Sequence, residues 1–238
     1  MQSKITIITV CYNAQTYIER TILSVINQSY SNIEYLVIDG NSIDCTLQIV
    51  RKYEDKITKI ISEPDKGIYD AMNKGLQMAT GDWVNFMNAG DSFYSKDILA
   101  KVFCQDYPDK SVIWGDTMLI RNGIKQGIFK TTPFYNYKLP FRTGKGICHQ
   151  SMFFRINKEK PLQYDLSFPI SADFKLCYDI YKQGGSFLYI PFVISVFDTT
   201  GYSSSNRYKS LVETGRILQC ENNILFKLYM FIQKQRLQ

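Results

Sequence analysis

The sequence predicts an α/β fold with a mostly parallel central sheet flanked by helices. Short β-rich apolar runs alternate with amphipathic helical patterns through the first half of the chain, which is the signature of βαβ units connected right-handedly. Clusters of short polar residues follow directly on the apolar runs, at Cys11-Tyr12-Asn13, Asp39-Gly40-Asn41-Ser42 and Asn88-Ala89-Gly90-Asp91. An open α/β sheet puts its ligand chemistry there, beyond the carboxyl ends of its strands. The chain has 238 residues, 45% hydrophobic and 21% charged, enough for one large domain with a full core or for two small ones.

The elements follow in order. Residues 5–10 are a β-rich apolar run. Thr16-x-x-Glu19 is a capping-box pattern, so a helix should start there, with Ile18, Ile22, Val25 and Ile26 on one face. Residues 34–38 make a second strand that ends at Asp39. Ser42 or Asp44 can cap a second helix carrying Leu47, Val50 and Tyr53. Residues 57–61 are a third strand. Residues 68–79 are a third helix with Ile68, Met72, Leu76 and Ala79 on one side, and residues 83–87 a fourth strand. Ser95 caps a short helix to Phe103, and another strand begins at residues 111–114.

The second half breaks this rhythm. Residues 131–146 hold two prolines, two glycines and several aromatic and basic residues, which suits an irregular loop able to close over a ligand. Residues 150–155 read as a strand. Ser171 caps a helix that stops at Gly184-Gly185. Two short strands, 186–190 and 193–197, should flank Pro191, and residues 201–208 should be polar and mobile. The tail at 224–237 places Leu225, Leu228, Tyr229, Ile232 and Arg236 at helical spacing with Lys227 and Lys234. It suits either a helix lying on a membrane surface or one docked on the domain.

Composition excludes some classes. A net charge of +6 fits anionic partners such as nucleotides, phosphorylated lipids or an anionic membrane, but no Lys/Arg stripe of the density needed for nucleic acid is present. Aromatic residues reach 14%, which suits stacking on flat ligands and equally suits an aromatic-rich core. The six cysteines (Cys11, Cys45, Cys104, Cys148, Cys177, Cys220) show no CxxC and a single histidine, His149, cannot complete a common zinc set. They read as free thiols in a reducing compartment. No signal peptide or run of about 20 apolar residues stands out, so a cytoplasmic location is expected.

The block at 63–91, EPDKGIYDAMNKGLQMATGDWVNFMNAGD, concentrates the chemistry: a polar loop, a helix, a buried strand and a carboxylate beyond it. There is no GxGxxG and no GxxxxGK[ST] in the chain, so dinucleotide and P-loop sites lack their glycines. Asp39 and Ser42 taken singly are explained as well by turn chemistry and capping.

Together, TVCYN at 9–13, VIDGNSID at 37–44, SEPDKGIYDAMNKG at 62–75 and NAGD at 88–91 resemble successive signatures of the family 2 glycosyltransferases with the GT-A fold. The match runs motif by motif over about 4–120 and more loosely to about 200. It is closest to members that build bacterial O-antigen, colanic acid and capsule repeats. The resemblance implies one catalytic domain over 1–205, with a nucleotide-sugar half (1–120) and an acceptor half (121–205), and a helical tail over 206–238. It implies that Thr9, Tyr12 and Asn13 line the nucleotide pocket, that Asp39 contacts the base, and that Asp65 sits near base and ribose. Asp70, Asn73 and Lys74 lie near the site. Asn88, Ala89, Gly90 and Asp91 occupy the place of the acidic metal motif, with Asp91 a ligand of Mn2+ or Mg2+. His149, with Gln150, lies near the donor diphosphate or the acceptor, and Asp173 takes the place of the catalytic base.

Many relatives carry a carboxylate where this chain has Asn88, which leaves one negative charge fewer for a hard cation. Asp173 falls in the first turn of a helix, whose dipole favours an ionised carboxylate; the same placement equally supports the helix terminus. The expected function is inverting, metal-assisted sugar transfer from a nucleotide donor, a UDP-sugar, to a polyprenyl-diphosphate-linked saccharide at an anionic membrane. Two alternatives are a nucleotidyltransferase, which would want a glycine- and basic-rich loop where Cys11-Tyr12-Asn13-Ala14 stands, and a degenerate transferase acting as an assembly partner, which Asn88 alone favours.

Overall fold

The computed structural model describes residues 2–130, 148–200 and 206–237, apart from the side chains of the last two. The irregular loop expected at 131–146 and the stretch 201–205 lie outside the described residues. The first half holds β1 (Ile5–Cys11), α1 (Ile18–Ile26), β2 (Ile33–Asp39), α2 (Thr46–Arg51), β3 (Lys59–Ser62), α3 (Ile68–Met78) and β4 (Trp83–Phe86). Then come β5 (Ser92–Phe93), α4 (Ile98–Val102), β6 (Val112–Arg121), β7 (Ile124–Phe129), β8 (Met152–Arg155), α5 (Ala172–Lys182), β9 (Phe187–Asp198), α6 (Arg207–Ile217) and α7 (Ile224–Leu237).

The strands form one mixed sheet in the order β3-β2-β1-β4-β8-β6-β9-β5, with β7 added on β6. β3, β2, β1 and β4 run parallel, and β8 is antiparallel to both β4 and β6. Side chains alternate across the pleat. Ile5, Ile7, Val37 and Trp83 pack under α1 and α4 on one face, and Ile8, Val10, Leu36 and Val84 under α3 and α5 on the other. α3 lies close on β1 because Gly75 has no side chain: a Cβ there would sit 2.6 Å from Ile8 Cγ2. The register sets Cys11, Asp39 and Ser62 side by side at the ends of β1, β2 and β3.

Several expected boundaries move, each for a visible reason. The Thr16–Glu19 capping box does not form; α1 starts at Ile18 with no side-chain cap. Glu19 instead accepts from the Tyr53 hydroxyl at 2.9 Å. Ser42 does not cap α2, since its hydroxyl goes to Asp39, while Asp44 accepts from Thr46 N at 2.9 Å. The third strand is shifted to start at Lys59. Ser95 does not cap α4, which starts at Ile98 after Asp97. The β6–β7 hairpin was not expected, although Asn122-Gly123 turns it with positive φ at both residues (49° and 78°), the twist that two-residue hairpins prefer. The strand expected from Gln150 begins at Met152, after a 3-10 turn over His149–Ser151.

The two strands expected around Pro191 are one, β9. Its pairing with β6 jumps from Trp114↔Tyr189 to Asp116↔Val193, so Gly115 alone faces three residues. Pro191, which has no N–H to give, sits in that bulge. A Cβ on Gly115 would lie 2.5 Å from Phe192 O. Residues 206–208, expected to be mobile, form the start of α6. That helix is tied to the start of α5, because Glu213 Oε2 accepts from Ser171 N at 2.7 Å and Ile170 N at 3.1 Å.

α7 has two apolar faces. Phe226 and Met230 are buried against α6 and Cys220, while Ile224, Leu225, Leu228, Phe231 and Ile232 are exposed. At 100° per residue those five fall within an arc of about 120°, with Lys227 and Lys234 along one side. Among the described residues no helix is long and apolar enough to cross a membrane.

Candidate active site

The ends of β1 and β2 build one wall. Tyr12 is 62% exposed and Asn13 takes a left-handed conformation, φ 47°. Asn13 Oδ1 accepts from Ile43 N at 3.0 Å, and Asn13 N donates to Ser42 Oγ at 2.9 Å. Asp65 is half-buried opposite them, its Oδ1 accepting from Gly67 N at 2.8 Å. Gly40 lies between: a Cβ there would collide with Asp65 Oδ2 and meet the Tyr12 ring at 3.3 Å. The absent side chain is what lets an aromatic ring and a carboxylate face the same space, an arrangement suited to a base and a ribose.

Five of the expected contact residues make hydrogen bonds within the protein. Thr9 is fully buried and donates to Met87 O at 2.8 Å, because its side chain points to the α1 face of the sheet. Asp39 is also fully buried. It accepts from Ser42 N at 3.0 Å and from the Ser62 hydroxyl at 2.7 Å, and it also bonds the Ser42 hydroxyl. It therefore fixes the turn, as turn chemistry alone predicts. Asp70 accepts from Lys66 N at 2.9 Å. Lys74 Nζ holds Pro64 O at 2.7 Å and Glu63 at 3.0 Å. Asn73 makes a reciprocal pair with the Tyr164 backbone, at 2.9 and 2.8 Å. Asp70 and Lys74 shape the 63–67 loop, and Asn73 anchors the segment before α5.

The end of β4 brings together what the sequence kept far apart. Asn88 Nδ2 lies 3.0 Å from His149 Nε2, and His149 Nδ1 lies 3.0 Å from Asp173 Oδ2. Asp173 Oδ1 accepts from Phe174 N at 2.8 Å and lies 3.1 Å from the Tyr69 hydroxyl. Tyr69 stays protonated, since burial and then the charge of Asp173 raise its pKa well above the ordinary value. Asp173 is 17% exposed at its side chain, so it is held without being sealed. Helical spacing points to Tyr69 where the motif points to Asp70: Tyr69, Met72 and Asn73 share the buried face of α3, and Asp70 does not. The 3-10 turn bearing His149 is fastened to β4 by Asn85, whose Nδ2 donates to Gln150 O at 3.0 Å and Met152 O at 2.8 Å.

Ala89 N bonds Val10 O at 3.1 Å, which joins this cluster to the β1 wall. Gly90, at φ 104°, makes the turn that folds Asp91 under Asn88. Gly90 O receives Arg20 Nη2, and Arg20 reaches Asp198 at 3.9 Å. Asp91, expected to bind metal, is buried with both oxygens engaged: Gln150 Nε2 donates to Oδ2 at 2.7 Å and Asp198 N to Oδ1 at 3.3 Å. Burial raises its pKa to about 6, against the opposing pull of the Gln150 bond. Asp91 thus ties the turn after β4 to the 3-10 turn before β8 and to the end of β9. Among the described residues no group of three His, Cys, Asp or Glu could hold an ion. Asn88 Oδ1, however, is buried without a hydrogen-bond partner. One such oxygen fits a cation that arrives with phosphate and water ligands, as Mg2+ commonly does.

The chain matches the model of Glycosyl transferase family 2 over residues 6–166. It belongs to that family. It is 31% identical over 156 residues to a PGL/p-HBAD biosynthesis glycosyltransferase of Mycobacterium bovis, covering 63% of this chain and 59% of the relative. It is 34% identical over 174 residues to an uncharacterized glycosyltransferase of Mycobacterium tuberculosis, covering 71% and 65%. The chain thus spans less than two thirds of the length of either family 2 relative. Among solved structures it resembles Staphylococcus aureus TarS in complex with UDP, with a TM-score of 0.70 at 20% identity, covering 90% of this chain and 64% of TarS. The mannosyltransferase PcManGT of Pyrobaculum calidifontis, in complex with GDP-Man and Mn2+, gives 0.68 at 20% identity, covering 90% and 63%. This likeness establishes the GT-A fold of the family 2 chain.

Proposed function

We propose that this family 2 chain transfers a sugar, with inversion, from a nucleotide donor to a saccharide acceptor, with Asp173 as the base. The observation that carries the reading is the placement of Asp173: a partly exposed carboxylate, held by His149 and Tyr69, beside the end of β4. The acceptor hydroxyl attacks the anomeric carbon and its proton passes to the Asp173 carboxylate. The bond from the anomeric carbon to the diphosphate oxygen breaks on the opposite face, and its electron pair leaves with the nucleoside diphosphate. Tyr12, Asn13 and Asp65 would receive the nucleotide. A divalent cation, Mn2+ or Mg2+, would neutralise charge on the leaving diphosphate when bound, with Asn88 Oδ1 as its protein ligand.

The finer reading is a UDP-sugar donor and a polyprenyl-diphosphate-linked acceptor in bacterial surface polysaccharide synthesis, at the inner face of the cytoplasmic membrane. TarS with UDP and PcManGT with GDP-Man support a nucleotide sugar. The exposed apolar arc of α7 with Lys227 and Lys234, and the net charge of +6, support an anionic membrane as partner. The test is nucleotide release from a panel of UDP-, GDP- and other nucleotide sugars, with and without Mn2+ or Mg2+. Turnover with one donor class is expected. Absence of both nucleotide binding and turnover across the panel refutes the reading.

A further inference from the structure

We infer that Glu213, in α6, is a positioning residue for Asp173, and that the C-terminal helices thereby complete the active site. Asp173 is the second residue of α5, and the chain enters that helix through Ile170 and Ser171. The N–H groups at a helix start have no partner within the helix, and Ser171 gives α5 no side-chain cap. Glu213 holds the chain at this entry: its Oε2 accepts from Ser171 N at 2.7 Å and from Ile170 N at 3.1 Å. On the other side the Tyr69 hydroxyl lies 2.9 Å from Ile170 O and 3.1 Å from Asp173 Oδ1. Ile170 O and Ser171 N belong to one peptide unit. That unit is therefore gripped at both ends, its carbonyl by α3 and its N–H by α6, two residues before Asp173.

Helix packing alone does not account for Glu213. It is 7% exposed, and burying a carboxylate is unfavourable unless it is hydrogen-bonded. Among the described residues no Lys, Arg or His pairs with it. An apolar residue would pack α6 against the domain without that cost. Ser210, Glu213 and Ile217 fall on one face of α6 by their spacing. Ser210 Oγ lies 3.0 Å from Ser171 Oγ, and Ile217 is buried in one cluster with Phe168, Ala172 and Phe174. α7 in turn closes on α6 where Gly215 has no side chain, since a Cβ there would collide with the Phe226 ring. A misplacement of about 1 Å at a reacting group can lower turnover about 100-fold, so a base two residues from this peptide depends on the grip at Glu213. Tyr12, Asn13 and Asp65 stand on other elements, so loss of the grip separates turnover from nucleotide binding. The effect on turnover rests on the reading of Asp173 as base; the anchoring itself does not.

Three variants of the full chain test this. Glu213→Gln keeps a side-chain oxygen for both N–H groups, Glu213→Asp draws the oxygens back by one methylene, and Glu213→Leu removes them while filling the space. Where Glu213→Leu does not fold, Glu213→Asp carries the test. Amide hydrogen exchange reads the anchor with no substrate present. Exchange across residues 168–176 should quicken at least about 10-fold in the Asp and Leu variants and match wild type in the Gln variant, with β1 and β4 unchanged. Turnover is read as nucleotide release from the donor that the panel identifies, counted per nucleotide-binding site from calorimetric titration, so unfolded protein does not enter. kcat should fall about 10–100-fold in the Asp and Leu variants with donor KM within about 2-fold, and stay within about 3-fold of wild type in the Gln variant. Unchanged exchange at residues 168–176, or an unchanged kcat per site in Glu213→Asp, overturns the positioning role. Equal losses in Glu213→Gln and Glu213→Leu also overturn it, since they tie the effect to charge and not to the accepted N–H groups. Asp173→Asn separates the two readings. If it abolishes transfer while Glu213→Asp does not slow it, the positioning role alone fails. If Asp173→Asn transfers normally, the base reading fails, and the exchange result still decides whether Glu213 anchors the start of α5.

Discussion

Gln150 Nε2 donates to Asp91 Oδ2 at 2.7 Å, across a buried contact between the 3-10 turn before β8 and the turn after β4. The bond turns the motif's one carboxylate inward. It leaves Asn88 Oδ1 as the side-chain oxygen of the motif without a hydrogen-bond partner.

Asp91 makes stability depend on pH. Its pKa is raised to about 6 by burial, so the folded state binds its proton more tightly than the unfolded chain. The stabilisation is complete below about pH 4 and is lost as pH rises through about 6, a change of about 3 kcal/mol. Asp91→Asn removes this dependence. Urea unfolding at acid and neutral pH should therefore show the variant gaining about 3 kcal/mol on the wild type between the two, on top of a constant cost from facing Asp198 N. A difference that does not change with pH contradicts the assignment.

Gly40→Ala should act on binding and spare the fold. Its Cβ would push on Asp65 Oδ2, the end of a half-buried side chain, and on the Tyr12 ring. Nucleotide affinity should fall about 10-fold or more, equivalent to roughly 1.4 kcal/mol, with the urea midpoint nearly unchanged. Calorimetric titration with UDP and GDP measures the first quantity.

Asp173→Asn should reduce transfer by about 100- to 10,000-fold, the range for loss of a general base. Nucleotide binding should survive, since Asp173 bonds His149, Phe174 N and Tyr69 and none of the β1–β2 wall. Full transfer by the variant excludes Asp173 as the base.

Asn73→Ala tests whether that residue serves structure or ligand. It removes both bonds to the Tyr164 backbone and leaves a buried N–H and C=O unpaired, a cost of about 2–4 kcal/mol. Stability should fall by that amount, while donor affinity per folded molecule holds.

Leu228→Ser with Phe231→Ser removes two of the five exposed apolar residues of α7 without touching Phe226 or Met230. Co-sedimentation with phosphatidylglycerol vesicles should fall at least 10-fold and the melting temperature should hold. Wild-type binding to neutral vesicles as tight as to phosphatidylglycerol vesicles would count against an anionic membrane partner, and a shift from dimer to monomer in the variant would point to a second copy on this face.

The parallel half of the sheet was legible from the order of residues because β1, β2 and β4 are buried on both faces, so each must be a continuous apolar run with turn chemistry after it. The positions of Tyr12, Asn13 and NAGD at strand ends follow from that pattern. Local signals failed where a tertiary partner outcompeted them. Glu19 left its capping box for Tyr53, and Ser42 left helix capping for Asp39. Pro191, which reads as a strand break, is absorbed by a bulge opposite Gly115.

The α7 helix shows the same division. Its sequence is apolar nearly all round, and only packing against α6 decides that Phe226 and Met230 turn inward and Leu228 and Phe231 outward. Of the acidic residues the sequence offered, it identified types and strand ends, since periodicity fixes where a strand stops. Which hydrogen bonds each carboxylate makes is decided largely by partners distant in the chain. Asp39 accepts from Ser62, and Asp91 from Gln150 and Asp198. Asn88, His149 and Asp173 become one connected set only because β8 inserts beside β4 and carries the turn at His149 with it. No local pattern encodes that adjacency, because it is made by the pairing of strands from opposite halves of the chain.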